Sequence, residues 1–151
     1  MGGAGNDTIS TGTGSNLIEG GTGADFVTLL GATNVVVIGN TDSGLNLITA
    51  DTINLFTDSL DSLKMGLAGD ATSYVEAGAA VADFTAALAA ANVALTTLNG
   101  TPGSAAELLA FEFDGTNGYL FNDINSDGVA DQVIVLVGVD NTGISAANII
   151  A

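Results

Sequence analysis

The first 37 residues repeat with a period of nine, and this periodicity is the feature that most limits how the chain can fold. Aligned in register, the segments read GGAGNDTIS (2–10), TGTGSNLIE (11–19), GGTGADFVT (20–28) and LLGATNVVV (29–37). The sixth position is always Asp or Asn, and the eighth is always Ile or Val. A short fixed period indicates a solenoid whose stacked units bury one apolar residue each. We therefore expect each unit to be a glycine-rich turn followed by a short strand.

In a two-sided coil, successive turns lie on alternate edges, so turns that share an edge are 18 residues apart, as Asp7 and Asp25 are. The segments GGAGND and GGTGAD should then stack directly. Glycines let their carbonyl oxygens turn toward a shared point, and the two carboxylates complete an oxygen cage. Asn16 and Asn34 should face each other on the opposite edge, where a cation site would be weak or absent because Asn is uncharged. The competing interpretation is that these residues only form turns.

Composition indicates which ion such a cage would hold. The 151 residues include 17 acidic residues and one basic residue, Lys64, with no Cys and no His. Carboxylates, amide oxygens and backbone carbonyls remain as ligands, and these are the ligands of Ca²⁺. A net charge of -16 argues against nucleic acid or anionic membranes as partners, because both need Lys or Arg. The absence of His and Cys excludes Ser-His-Asp and Cys-His catalysis.

The repeats resemble the RTX (repeats-in-toxin) nonapeptide, GGxGxDxUx. The match is clear over residues 2–28 and decays through 29–48, where Leu29 and Leu30 replace the two glycines of the fourth repeat. The resemblance implies a right-handed parallel β-roll that binds Ca²⁺ between its turns. It also implies secretion by a type I machine that recognises an uncleaved C-terminal signal, and no N-terminal signal peptide is visible. The metal ligands predicted here are Gly2, Ala4, Asn6, Asp7, Gly20, Thr22, Ala24 and Asp25.

The remaining sequence suggests two further parts after a roll at 2–50: capping strands and a linker at 51–71, and a helix with a C-terminal β module at 72–151. The overall fold class is mostly β, with an antiparallel module at the end. Apolar alternation over 38–67 predicts half-buried strands, with the pairs Leu45 and Leu47, Ile53 and Leu55, and Leu63 and Met65. Asp51, Asp58 and Asp61 are interpreted as solvated turn carboxylates in preference to ligands of a final calcium ion.

The stretch VADFTAALAAANVALTTL predicts a helix that ends at Asn99-Gly100, with Pro102 beyond it. It lacks the Lys and Arg of a membrane-surface helix, so we expect it to pack on the β-structure. Residues 103–151 return to strands, and their aromatic pair, valine strand and SAANIIA ending resemble the C-terminal module of type I-secreted RTX proteins.

A second acidic segment, DINSDGVAD (123–131), has the alternating oxygen ligands of the front half of an EF-hand loop. The twelfth position is Ile134 where that loop needs Glu. A calcium site and a metal-free hairpin turn both remain open. The predicted ligands are Asp123, Asn125, Asp127 and Asp131.

The functional hypothesis is a calcium-dependent folding and type I export module of a secreted bacterial RTX protein, within a surface-layer or adhesin-type structural protein. The alternative is the C-terminal tail of a secreted RTX hydrolase, a protease or lipase, whose catalytic domain lies upstream. We expect no enzyme activity and no small-molecule substrate in this chain. Expected partners are the type I secretion machinery and, through self-association or surface contacts, other cell-surface components. The expected location is extracellular or at the cell surface.

Overall fold

The computed structural model describes residues 1–101 and 103–151, so the stop predicted at Pro102 lies outside the described residues. The strands of the first half are β1 Gly3–Ala4, β2 Thr8–Ser10, β3 Ser15–Glu19, β4 Gly21–Thr22, β5 Phe26–Thr28, β6 Thr33–Val37, β7 Asp51–Asn54, β8 Ser62–Lys64 and β9 Tyr74–Glu76. Helix α1 spans Phe84–Asn99, and the later strands are β10 Leu108–Phe113, β11 Asn117–Asp123, β12 Gln132–Val137 and β13 Ile149–Ile150.

Residues 2–64 wind into three coils, each of which contributes one strand to each of two parallel sheets. Coil 1 (residues 2–19) supplies β2 and β3, coil 2 (20–37) supplies β5 and β6, and coil 3 (38–64) supplies β7 and β8. Thr8 pairs with Phe26 on one side and Ser15 with Thr33 on the other, an offset of 18 residues in both cases. The strand pairing therefore follows the nine-residue period of the sequence.

The eighth residue of each repeat lies inside the roll. Ile18, Val27 and Val36 are at most 3% exposed, and Ile9 of the first repeat packs against the same core. Burial of side chains of this size stabilises a fold by about 1.5–3 kcal/mol each. Three coils offer only a few such positions, so the roll depends on further contacts at its ends and edges.

The C-terminal module continues both sheets of the roll. Strand β12 pairs in parallel with β7, and β13 pairs in parallel with β8. Strands β10, β11 and β12 form an antiparallel meander, and β9 adds in parallel to β10. The result is a seven-stranded sheet in the order β2-β5-β7-β12-β11-β10-β9, accompanied by a four-stranded sheet in the order β13-β8-β6-β3. The predicted mostly β fold with one helix and an antiparallel C-terminal region is confirmed.

Helix α1 covers the face of the large sheet that points away from the roll. Asp83 caps its start by accepting a hydrogen bond from Ala86 N at 2.9 Å, and Gly100 ends it, as the sequence predicts. Small residues on its buried face, Ala87 and Ala91, allow close packing against β10 and β11. The predicted packing role of the helix is thus what the structure shows. No helix in residues 1–101 or 103–151 is long and apolar enough to cross a membrane.

The strand expected around Leu45 and Leu47 is absent from the structure. These residues lie in an irregular segment, and Leu47 is 51% exposed. The cause is a longer crossing in coil 3, where Phe26 pairs with Thr52 at an offset of 26 residues. Leu55 also lies outside β7, with φ at 65° and an exposed side chain.

Glu112 is a carboxylate inside the C-terminal module. It lies in β10 between two phenylalanines, is 6% exposed, and shares its sheet face with Ala110 beneath the helix. Burial raises the pKa of Glu112 above its usual value of 4.5. The carboxyl group of Glu112 therefore holds its proton more tightly in the folded chain than in the unfolded chain. The free energy of unfolding falls as the pH rises from the unfolded pKa of Glu112 through its folded pKa.

We expect Glu112→Gln to increase the free energy of unfolding by about 1 kcal/mol near neutral pH, because the buried charge is removed. At about pH 4 the effect should nearly vanish, since Glu112 is then largely protonated in both states. Urea denaturation at the two pH values, at one calcium concentration, measures both effects. An equal gain at both pH values would contradict this explanation.

Candidate metal centre

Two glycine-rich turns lie directly above one another on one edge of the roll. Strand β1 pairs in parallel with β4, so that Gly3 is opposite Gly21 and Ala4 is opposite Thr22. Gly5 N–H donates to Thr22 O at 2.8 Å, which fixes the spacing of the two turns. The structure therefore brings together the ligand sets predicted at 2–7 and 20–25.

The aspartates of these turns form a ladder with unpaired oxygens. Asp7 N–H donates to Asp25 Oδ1 at 2.8 Å. The other carboxylate oxygens, Asp7 Oδ2 and Asp25 Oδ2, are buried and have no hydrogen-bond partner. Asp25 as a whole is 2% exposed. Buried charged acceptors without a donor are strongly destabilising unless a cation compensates them.

Glycine at the start of each repeat makes room for these oxygens. A methyl group added to Gly2 would lie 2.5 Å from both Asp7 Oδ2 and Gly20 O, and one added to Gly20 would overlap Asp25 Oδ2. Carboxylate and carbonyl oxygens thus converge where a side chain is excluded. Oxygen ligands of this kind are those that Ca²⁺ takes in proteins, so the residues present fit the ion.

The remaining predicted ligands have clear places around this centre. Asn6 Oδ1 accepts a hydrogen bond from Ala24 N at 3.0 Å and so bridges the two turns through its side chain. A cavity of about 230 Å³ beside the turns is lined by Met1, Gly3, Glu19, Gly20, Gly21, Thr22 and Asp42. Sequence reasoning missed Glu19 and Asp42, because neither lies at a ligand position of the two glycine-rich turns.

Backbone oxygens are essential to any metal centre here. Within residues 1–101 and 103–151, no group of three or more His, Cys, Asp or Glu side chains is placed to hold a metal ion. A cation at the stacked turns would therefore be bound by two carboxylates and by main-chain carbonyls.

On the opposite edge of the roll, side-chain amide groups donate hydrogen bonds to the oxygens of the turns. Asn16 Nδ2 donates to Gly12 O at 3.2 Å, to Gly14 O at 3.1 Å and to Asn34 Oδ1 at 2.8 Å. Asn34 Nδ2 in turn donates to Asp61 Oδ1 at 2.8 Å. The oxygens of this edge therefore have donors from within the protein. Sequence reasoning treated these asparagines as neutral turn residues and missed this role.

Asp51 and Asp61 are buried, so their interpretation as solvated turn carboxylates is wrong. Asp51 is 4% exposed and accepts from Asp25 N at 2.9 Å. Its burial, together with the charges of Asp25 and Asp42, raises the pKa of Asp51 to about 6. Asp61 is 3% exposed and accepts from Asn34 N at 3.0 Å and, through its second oxygen, from Thr57 N at 2.9 Å. Asp58 is exposed, as expected.

The acidic loop at 123–131 is closed by its own backbone. Asp123 is fully buried and accepts from Asp127 N and Gly128 N, while Asn125 Oδ1 also accepts from Asp127 N. Asp131 Oδ2 accepts from Ile124 N at 2.9 Å. These bonds favour the hairpin-turn interpretation, and a calcium ion bound by Asp123, Asn125, Asp127 and Asp131 stays a prediction.

The edge that carries Asn16 and Asn34 allows a test of whether amide groups there replace the cation of the aspartate edge. We expect Asn16→Asp to lower the free energy of unfolding in EDTA by about 1–3 kcal/mol, because Gly12 O and Asn34 Oδ1 lose the amide group that donates to them. Calcium should stabilise this variant more than it stabilises the wild type, since a carboxylate now faces carbonyl oxygens. Urea denaturation with EDTA and with calcium measures both effects.

Asn16→Ala is the matched control, because it removes the same donor without adding a carboxylate. Its loss of stability should remain in calcium. If calcium stabilises Asn16→Asp no more than the wild type, the amide group is not a substitute for a cation.

Comparison with known families agrees with this geometry. Residues 1–36 match the family model of the RTX calcium-binding nonapeptide repeat, in four copies. No curated protein matches the chain. The matched segment holds both stacked turns of the metal centre and the first amide pair of the opposite edge. Residues 1–36 of the chain are therefore RTX calcium-binding nonapeptide repeats.

Proposed function

We propose that this chain is a calcium-triggered folding and export module of a secreted RTX protein. RTX repeat proteins are typically secreted, and their repeats bind calcium. The observation that carries the proposal is the pair of buried oxygens, Asp7 Oδ2 and Asp25 Oδ2, that have no donor in the folded chain. Such a ladder favours folding only where a cation is available.

Calcium concentration decides whether the repeats fold. Ordering costs about 1–2 kcal/mol per residue, and glycine-rich coils bury few side chains to offset it. An ion that binds only the folded state contributes about 2.7 kcal/mol when it is 100-fold above its Kd. Extracellular calcium modules have Kd values on the order of 10⁻⁴–10⁻³ M. The repeats would therefore stay unfolded in the cytosol and fold outside the cell.

The position of the C-terminus supports a link between folding and export. Ile149 is 2% exposed in β13, which pairs with β8 of coil 3. Asn148 Nδ2 donates to Asp58 O at 2.7 Å, and Lys64 Nζ donates to Ala151 O at 2.9 Å. The apolar ending resembles an exposed type I signal in the sequence, yet folding takes it into the sheet. A type I transporter would thus recognise these residues before folding, and extracellular calcium would then hide them.

Within this proposal the larger protein is of surface-layer or adhesin type, and this chain has no catalytic role. Association with other cell-surface components is part of this proposal, and β2 and β3 are the outermost strands of their sheets within the described residues. Its other partner is the type I secretion machinery. A secreted hydrolase with its catalytic domain upstream is the alternative, and a catalytic motif in the upstream sequence would favour it.

The folding switch predicts slow amide exchange of residues 2–37 in millimolar calcium and fast exchange in EDTA. Asp7→Asn should weaken calcium binding by about tenfold or more, because one charged ligand is lost. Hydrogen exchange and calorimetric titration measure these effects. Asp83→Asn is the matched control, since it removes one carboxylate far from the turns and keeps a residue that caps helices. Equal protection of residues 2–37 in EDTA and calcium would exclude the switch.

For export, we expect deletion of residues 103–151 to abolish secretion through a matching type I transporter. Asp7→Asn should still be secreted, because it leaves the C-terminal residues intact. Immunoblots of denatured medium and cell fractions measure secretion independently of folding. Denaturing the samples matters because the deletion also removes β12 and β13, the strands that pair with coil 3. Secretion of the truncated chain at the wild-type level would contradict the proposal.

A further inference from the structure

Three leucines are exposed on the edge of the roll that lies opposite the aspartates. Leu30 lies in the turn between β5 and β6, and Leu55 and Leu60 lie in the turn between β7 and β8. Their exposed fractions are 44%, 53% and 43%. Leu29 N–H donates to Asn54 O at 3.0 Å, so these two turns are stacked in adjacent coils. The three exposed side chains therefore share one edge, and we call them the leucine patch.

The backbone of Leu55 is strained. Its φ is 65°, in the left-handed region that glycine adopts freely and that a bulky side chain disfavours. The next residue, Phe56, is 8% exposed and packs into the core of the roll, whereas Leu55 stays outside that core. The strain at Leu55 is thus not offset by burial within the chain. A strained turn that holds an apolar side chain in solvent points to a contact with another molecule.

The edge that carries the leucine patch is almost free of charge, although the net charge of the chain is -16. Its turns and flanking strands include residues 8–18, 26–36 and 52–57, and none of these residues is charged. Asp61 follows in the same turn, but it is 3% exposed and accepts hydrogen bonds from its neighbours, which leaves Asp58 as the exposed carboxylate of these turns. Because like charges repel at short range, a second copy of the chain can approach this edge more closely than the aspartate edge.

We propose that the leucine patch is a contact surface between two copies of this chain, which pair about a two-fold axis. In such a contact the same surface serves both partners, so leucines meet leucines and no complementary charge is required. The patch offers no Lys or Arg to nucleic acid or to an anionic membrane. Three leucines from each copy form a small interface, so the dimer is weak and reversible.

The leucine patch is assembled only when the roll is folded. Leu30 belongs to coil 2, whereas Leu55 and Leu60 belong to coil 3, and the stacking of the two coils brings them to one edge. Pairing of two copies should therefore follow folding of the repeats. The inference goes beyond the proposed function, because it assigns a surface and a partner and does not depend on which ion folds the roll.

Sedimentation equilibrium of the full chain in millimolar calcium, from micromolar to millimolar protein, tests the proposal. Leu55→Gly should weaken the dimer by about tenfold or more, because each copy loses one leucine from the contact. The same variant should keep or increase the free energy of unfolding of the monomer, because glycine relieves the backbone strain. Leu55→Asn should weaken the dimer as well. Leu47→Asn is the matched control, since Leu47 is 51% exposed in the segment 38–50 and should not affect pairing.

Two further measurements locate the contact. Added NaCl should strengthen the dimer several-fold, because salt screens the repulsion between two acidic chains and leaves the apolar contact intact. The chain has no cysteine, so single cysteines can carry nitroxide labels. A label on Ser59→Cys, in the turn of the leucine patch, should show dipolar coupling between copies. A label on Ile48→Cys, which replaces an 86% exposed residue in the segment 38–50, should show none.

The outcomes separate this inference from the calcium switch. A wild-type chain that is folded in calcium by hydrogen exchange and yet monomeric at every concentration overturns the inference and leaves the switch intact. A dimer that persists in EDTA with the same sensitivity to Leu55→Gly supports the inference and contradicts the switch. A dimer that Leu55→Gly does not weaken, or coupling from Ile48→Cys instead of Ser59→Cys, also overturns it. If circular dichroism shows that Leu55→Gly is unfolded, Leu55→Asn decides, because Asn tolerates the left-handed backbone.

Discussion

The roll depends on how it neutralises the aspartates that stack on one of its edges. Asp7, Asp25 and Asp51 have equivalent places in the three coils, and the carboxylates of Asp25 and Asp51 are almost completely buried. The chain has a single basic side chain, Lys64, and that group donates to Ala151 O. Backbone N–H groups satisfy one oxygen of Asp25 and one of Asp51 and leave charge uncompensated. The calcium ion of the proposed function would neutralise this edge.

The two edges of the roll differ in how the oxygens of their stacked turns are satisfied. Asn16, Asn34 and Asp61 form a ladder in which amide hydrogens reach carbonyl and carboxylate oxygens directly. The oxygens of that edge have donors within the chain, whereas the aspartate edge keeps two buried carboxylate oxygens without a donor. The strands between the edges are short and the apolar core is thin, so neither edge alone holds the coils together. The proposed calcium dependence therefore involves one edge of the roll, and the hydrogen bonds of the other edge align the turns without an ion.

The sequence predicts the repeat segment well because its information is local and periodic. The nine-residue period identifies the inward residues Ile18, Val27 and Val36 and the alignment of Asp7 with Asp25. The helix is equally predictable from its alanine-rich sequence and its end at Asn99-Gly100. Coil 3 is not predictable in this way, since its offset of 26 residues conceals Asp51 as the successor of Asp25. Apolar alternation there suggested a strand at Leu45 where the chain forms an irregular crossing.

Long-range pairing is the other feature that local patterns do not reveal. Strand β13 is a two-residue segment, and only its place beside β8 makes Ile149 a core residue. Solenoids need a cap where stacking stops, because the last coil exposes apolar side chains and unpaired backbone. Here β12 and β13 provide that cap on Ile53 and Leu63, which are fully buried. The C-terminal residues are thus the final layer of the roll, and they can join it only where coil 3 is folded, because β12 and β13 pair with its strands β7 and β8.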